Sequence, residues 1–182
     1  PAACTAASRR AISPNSPSAH TNLGSAYAAK GMYEDALAEH KKALLLKPNE
    51  PKIYNNIGNT YYAMNMSDIA IVEYEKALDL APQNPSFINN LGNAYYAKEA
   101  YDIAISKYKE AIKLNPNHPE FHKNLGKAYR AEGSLDLAVD EFKKAMLLNP
   151  SDTEIHNYLA DLHNEIGIIY GKKSLYDQAI EK

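Results

Sequence analysis

The sequence predicts an all-α solenoid of antiparallel helix pairs, on three observations: a 34-residue period, two apolar helical stripes inside each period, and prolines at every period boundary. Prolines recur at Pro14, Pro48, Pro82, Pro116 and Pro150, and again at Pro17, Pro51, Pro85 and Pro119. With Pro17 as position 1, position 8 is Gly24, Gly58, Gly92 and Gly126, and position 11 is Tyr27, Tyr61, Tyr95 and Tyr129. Position 20 is Ala36, Ala70, Ala104 and Ala138, and position 27 is Ala43, Ala77, Ala111 and Ala145. Columns in phase over four units define repeats at 17–50, 51–84, 85–118 and 119–152.

Within a unit, positions 4, 7, 8 and 11, such as Tyr54, Ile57, Gly58 and Tyr61, have the spacing of one buried helical stripe. A polar break such as Lys30-Gly31 or Glu132-Gly133-Ser134 follows. The second helix is expected to bury Ile69, Val72, Ala77 and Leu80, and it stops before Pro82, because the residue before proline is pushed out of the helical region. Glycine at 8 and alanine at 20 let the two helices approach closely, so Gly92→Leu would wedge them apart.

Composition removes several classes of function. The 182 residues carry 20 Lys+Arg against 22 Asp+Glu, so no global positive field exists to hold a phosphate backbone, and nucleic acid is not the expected partner. Cys4 is the single cysteine, which excludes an intramolecular disulfide framework and multi-cysteine metal sites, and fits a reducing, cytoplasmic setting. No run of 18 apolar residues is available to span a membrane.

These columns closely resemble the tetratricopeptide repeat family, whose pattern has a large residue at 4, Leu-Gly at 7–8, Tyr at 11, Ala at 20, an aromatic at 24, Ala at 27 and Pro at 32. The segment from Pro85 to His118 fits at almost every column. Departures are position 4, which is His20, Tyr54, Ile88 and His122 and never Trp, and position 24 of the first unit, which is His40. The resemblance implies a right-handed superhelix whose first helices line the concave side.

The ends depart from the period. Pro14-Asn15-Ser16-Pro17 parallels Pro48-Asn49-Glu50-Pro51, so residues 2–12, within the leading 1–16, read as a degenerate second helix of a preceding repeat or as a tail. Pro1 in place of Met then fits a chain that begins inside a helix. After Pro150 the phase slips by seven residues, with Gly167 at 8, Tyr170 at 11, Tyr176 at 17 and Ala179 at 20 of a unit starting at 160. Seven residues are about two helical turns, so 153–182 is expected to be a partial repeat with a lengthened first helix from Thr153 to about Gly171. Its second helix would start near Ser174.

No catalytic, cofactor or metal constellation is legible. Cys4 has no His or Asn context of a nucleophile, and neither a Gly-rich phosphate loop nor a Gly-x-Ser-x-Gly elbow occurs. His118 and His122 are separated by Pro119, so His118 belongs to the turn, and His122 at position 4 is read as a packing residue. His156 and His163 fall at position 4 of the two alternative registers and are read the same way. Glu34/Asp35 and Asp152/Glu154 sit at helix starts, where the helix dipole favours negative charge.

The informative feature is position 6, which is Asn22, Asn56, Asn90 and Asn124. At about 100° per residue, positions 2, 5, 6, 9, 12 and 13 fall opposite the buried stripe. That face also carries Asn55, Asn59 and Tyr62, then Asn89, Asn93 and Tyr96, and becomes basic with Lys123, Lys127 and Arg130. The asparagine ladder resembles the groove of O-linked N-acetylglucosamine transferases and is similar to that of kinesin light chains, where amides hold an extended peptide backbone. An amide supplies both donors and an acceptor, so it can pair with a peptide unit. Four such bonds at a net ~0.5–1.5 kcal/mol each fall short of the ~8 kcal/mol of micromolar binding. Anchors such as Tyr62, Tyr96 and the Lys123/Lys127/Arg130 cluster are therefore required, which points to a ligand with apolar groups and an acidic end.

The chaperone-tail clamp of some tetratricopeptide domains resembles this face poorly. Its five positions align with Asn55, Asn59, Asn90, Glu120 and Asn124, where Glu120 would oppose a carboxylate. The expectation is a non-catalytic scaffold for an extended peptide. Two rival readings are a substrate-recruiting array of a larger enzyme, such as a glycosyltransferase, and a self-assembling module joined through uncapped ends or the long fifth helix.

Overall fold

The computed structural model describes residues 16–180, so the helix expected over residues 2–12, and Cys4 with it, lies outside the described residues. Among the described residues there are nine helices and no strand. The chain divides into two compact units, Pro1–Pro82 and Gln83–Lys182. In the first, α1 (Pro17–Ala29) packs on α2 (Tyr33–Leu46), and α3 (Pro51–Ala63) packs on α4 (Ser67–Leu80), with α2 against α3. In the second, α5 (Pro85–Ala97) packs on α6 (Tyr101–Leu114) and α7 (Pro119–Glu132) on α8 (Leu135–Leu148), with α6 against α7 and α9 (Thr153–Ile180) against α8.

The first helices α1, α3, α5 and α7 each start on a proline, whose fixed φ suits the first turn and whose missing N–H costs nothing there. Ser16 Oγ accepts from the Ala19 N–H at 3.0 Å, and Asn84 Oδ1 accepts from the Ser86 and Phe87 N–H groups at 3.1 and 3.3 Å. All four first helices end alike. Position 15 is left-handed in each: Gly31 at φ 76°, Asn65 at 58°, Glu99 at 60° and Gly133 at 93°. The next N–H then reaches back to the position-11 tyrosine carbonyl, at 3.0 Å for Met32 to Tyr27 and 2.9 Å for Met66 to Tyr61. This is the Schellman arrangement, which satisfies carbonyls the helix end leaves open.

The core is built from columns. Positions 3, 7 and 10 bury Ile53, Ile57 and Thr60 in one unit and Phe121, Leu125 and Ala128 in the other. Second helices bury positions 20, 21, 24 and 27, as in Ala70, Ile71, Tyr74 and Ala77. The expected stripe of Ile69, Val72, Ala77 and Leu80 is thus corrected: Ile69, Val72 and Leu80 are exposed. Ala70, Tyr74 and Ala77 recur at steps of four and three along one face, whereas Ile69 and Val72 stand one and two positions off it.

Glycine at position 8 answers the ring at position 24. A Cβ on Gly58 would lie 2.6 Å from Tyr74 Cε1, and one on Gly92 2.7 Å from Tyr108 Cε1, so only glycine admits the ring.

α9 differs from the expected partial repeat. It runs unbroken to Ile180, with no turn near Ser174. Lys172 and Lys173 are good helix formers, and Gly171 keeps a negative φ. Counting from Thr153, the buried Ile155, Leu159 and Leu162 fall at positions 3, 7 and 10, so the original phase continues through Leu162.

Candidate functional site

The face predicted for ligand contact lies on the first helices, and its residues divide by how deeply the neighbouring helices hold them. Asn22 is exposed, and Asn56, Asn90, Tyr62, Tyr96, Lys127 and Arg130 are half-buried. Asn55, Asn89, Lys123 and Asn124 are buried, which corrects their assignment to an open face. In the second unit the physical reason is that a first helix, whose position 5 points outward when isolated, is met by the next one: α7 covers Asn89 and α9 covers Lys123. Asn124 Nδ2 donates to Asn89 Oδ1 at 3.0 Å within this packing, and Asn56 Nδ2 donates to Ser25 Oγ at 3.4 Å.

Asn59 and Asn93 have an internal task. Each accepts at 2.8 Å from the hydroxyl of the buried ring at position 24, Tyr74 and Tyr108 respectively. The columns could have revealed this, because position 9 is Asn only where position 24 is Tyr; the other pairs are Ser25 with His40 and Lys127 with Phe142. Burial pushes the hydroxyls of Tyr62 and Tyr74 up, so both stay neutral donors.

The basic end is corrected as well. Burial opposes the charge of Lys123, but hydrogen bonds to Glu120 and Glu154 outweigh it and hold the ammonium above the ordinary lysine range. Its Nζ lies 2.9 Å from Glu120, 2.9 Å from Glu154 and 3.4 Å from Asp152. Arg130 pairs with Glu165 at 3.2 Å and Asp161 at 3.9 Å. Four of these carboxylates come from α9 or the turn before it, so Lys123 and Arg130 are matched by acidic groups, while Lys127 is not among these pairs.

Lys127 stands between two rings, its Nζ 5.9 Å from the centroid of Tyr96 and 5.8 Å from that of Tyr158. Tyr158 stacks on Phe142 at 5.0 Å and donates to Glu154 at 3.2 Å. Around them opens a recess of 330 Å³ lined by Tyr96, Lys127, Arg130, Ala131, Tyr158 and Glu165. Three successive first helices, α5, α7 and α9, each supply part of it. Tyr158 was missed in the sequence reading; in the unbroken phase from Thr153 it occupies position 6, the asparagine column.

His20 and His122 make structural contacts. His122 Nδ1 lies 2.6 Å from Glu141 Oε2 and its Nε2 lies 2.8 Å from the Pro116 carbonyl, while His20 repeats the first contact with Glu39 at 2.6 Å. His156 and His163 are exposed, which corrects their reading as packed residues; position 4 packs on the second helix of its own repeat, as His122 does on α8, and α9 runs unbroken to Ile180 without folding back. Among the described residues no group of three His, Cys, Asp or Glu side chains is placed to hold a metal, and no helix is long and apolar enough to cross a membrane.

The sequence matches a family model described as TPR repeat over residues 24–65, 92–131 and 126–167, and one described as Tetratricopeptide repeat over 51–84. No curated protein matches it. Among solved structures it is similar to pilF of Pseudomonas aeruginosa, at 25% identity and a TM-score of 0.77, over 88% of this chain and 73% of that one. The first TPR of Spaghetti (RPAP3), bound to the HSP90 peptide SRMEEVD, matches at 25% identity and a TM-score of 0.63, over 65% of this chain and 94% of that one. The Cut9-Hcn1 hetero-tetramer of APC/C matches at 19% identity and a TM-score of 0.75, over 81% of this chain and 30% of that one, a likeness of fold alone.

Proposed function

The chain belongs to the tetratricopeptide repeat family, and from that premise we propose that it is a non-catalytic protein-interaction module that takes an extended peptide segment on its first-helix face. The observation that carries the reading is the recess of Tyr96, Lys127 and Tyr158, because it is assembled from three consecutive first helices. A ligand that runs across helices, as an extended chain does, contacts all three at once. The peptide complex of the first RPAP3 repeat domain supports the same use of this fold.

The ligand class follows from the local charges. With Lys123 and Arg130 already paired, the recess offers two aromatic faces and the Lys127 ammonium between them, so the anchor is a planar or apolar side chain stacked on Tyr96 and Tyr158. Asn90 on α5 supports backbone contact in the same unit, and Asn22 and Asn56 do so in the first unit. A chaperone-type acidic tail is disfavoured, since Glu120 holds Lys123 and Asn59 is engaged by Tyr74.

Peptides selected from a library on the native chain, followed by amide chemical-shift mapping, test this. The shifts are expected to concentrate on α5, α7 and the first half of α9. A map confined to the second helices contradicts it.

A further inference from the structure

In the second and third repeats the residue at position 9 serves the ring at position 24, Asn59 and Asn93 accepting from the hydroxyls of Tyr74 and Tyr108 at 2.8 Å. In the fourth repeat both members change together: position 24 is Phe142, which has no hydroxyl to donate, and position 9 is Lys127. The internal bond is gone, and position 9 is released to the first-helix face. Phe142 has a second effect there, because Tyr158 stacks on it at 5.0 Å with the ring planes 7° apart. The ring that frees Lys127 thus also sets the tyrosine beside it.

Tyr96, Lys127 and Tyr158 follow one another at two intervals of 31 residues, a diagonal row across α5, α7 and α9. The Lys127 ammonium lies 5.9 Å and 5.8 Å from the two ring centroids. Ring faces attract a cation but supply no oxygen to its N–H groups. Among the described residues no ion pair or hydrogen bond engages Lys127 Nζ, so its three donors remain for a ligand. The other charged groups lining the 330 Å³ recess, Arg130 and Glu165, pair with each other at 3.2 Å, which leaves the charge of Lys127 as the net charge there. Glu154 nearby is already bonded to Lys123 at 2.9 Å and to Tyr158 at 3.2 Å.

We propose that this recess selects a single carboxylate set beside an aromatic side chain, the aromatic ring lying against Tyr96 and Tyr158 and the carboxylate accepting from Lys127 Nζ. A single carboxylate matches a single ammonium. It comes either from an acidic residue next to the aromatic one or from the chain end of a peptide whose last residue is aromatic. The inference rests on the peptide reading and adds the charge that its anchor carries.

Fluorescence anisotropy on the full chain tests it with four kinds of short extended peptide: Phe followed by Glu or by Gln, both amidated, and Phe as the last residue, as free acid or amide. A carboxylate beside Phe is expected to tighten binding about tenfold, the fold-change of one hydrogen bond to a charged group, and the preference shrinks as salt is raised. Lys127→Met keeps the apolar stem and is expected to lose the preference. Lys109→Met, which removes the same charge beside Tyr129, is expected to keep it. A preference for Glu over Gln assigns the carboxylate to a side chain, and one for the free acid over the amide assigns it to a chain end; both support the proposal. Equal binding within both pairs, or a preference that survives in Lys127→Met, overturns it and leaves the peptide reading in place. No binding of any of the four overturns it as well, and the peptide reading falls with it where library-selected peptides also fail to bind.

Discussion

The hydroxyl of Tyr74 donates to Asn59 Oδ1 at 2.8 Å, across the closest approach of α3 and α4. Tyr74 is 1% exposed, so water offers its hydroxyl no alternative acceptor. Asn59→Ala is expected to cost about 1–3 kcal/mol, the range for stranding a buried donor. Adding Tyr74→Phe recovers most of that loss. Urea denaturation of the two single variants and the double variant checks it; additive costs would show that the bond does not couple them.

The contact of His122 with Glu141 gives stability a pH dependence of defined sign. The hydrogen bond to Glu141 raises the His122 value above the ordinary 6.5, so its contribution is complete below that value and is lost as pH rises through the raised one. Burial works against the Glu141 charge, but hydrogen bonds from His122 and Lys144 outweigh it and hold its value below 4.5, so that contribution is lost as pH falls below 4.5. The contact is strongest between these limits. The stability difference between the native chain and His122→Phe should therefore be largest between pH 4.5 and 6.5 and shrink as pH rises above 6.5. A difference flat in pH contradicts the assignment.

Glu99 carries a left-handed φ of 60° that Gly31 and Gly133 adopt without a side-chain penalty. Glu99→Gly is expected to stabilise the chain by about 0.5–1 kcal/mol, the relief of that penalty less the extra entropy of glycine. Thermal melting read by circular dichroism checks it, and a lower melting temperature contradicts it.

Much of this was legible in the sequence, and the misses share a cause. Columns 8, 11, 20 and 27 define contacts inside one helix pair, and the structure places Gly58 under Tyr74 as the period implies. Lys123 and Asn89 were misplaced because a helical wheel describes one helix, whereas their burial comes from the next first helix in the stack. The pairing of Lys123 and Arg130 with Glu154, Asp161 and Glu165 was hidden for the same reason, since those residues lie 31 to 35 positions later. The straight course of α9 past Ser174 went against turn signals that held in every other repeat.

The central claim is that the face made by α5, α7 and α9 receives a peptide through its two tyrosines. The most direct measurement is the affinity of a library-selected peptide for the native chain and for Tyr96→Ala with Tyr158→Ala, alongside far-UV circular dichroism of both. A loss of affinity of at least tenfold, about 1.4 kcal/mol, is expected, with helicity unchanged. Equal affinity for a double variant of native helicity would contradict it.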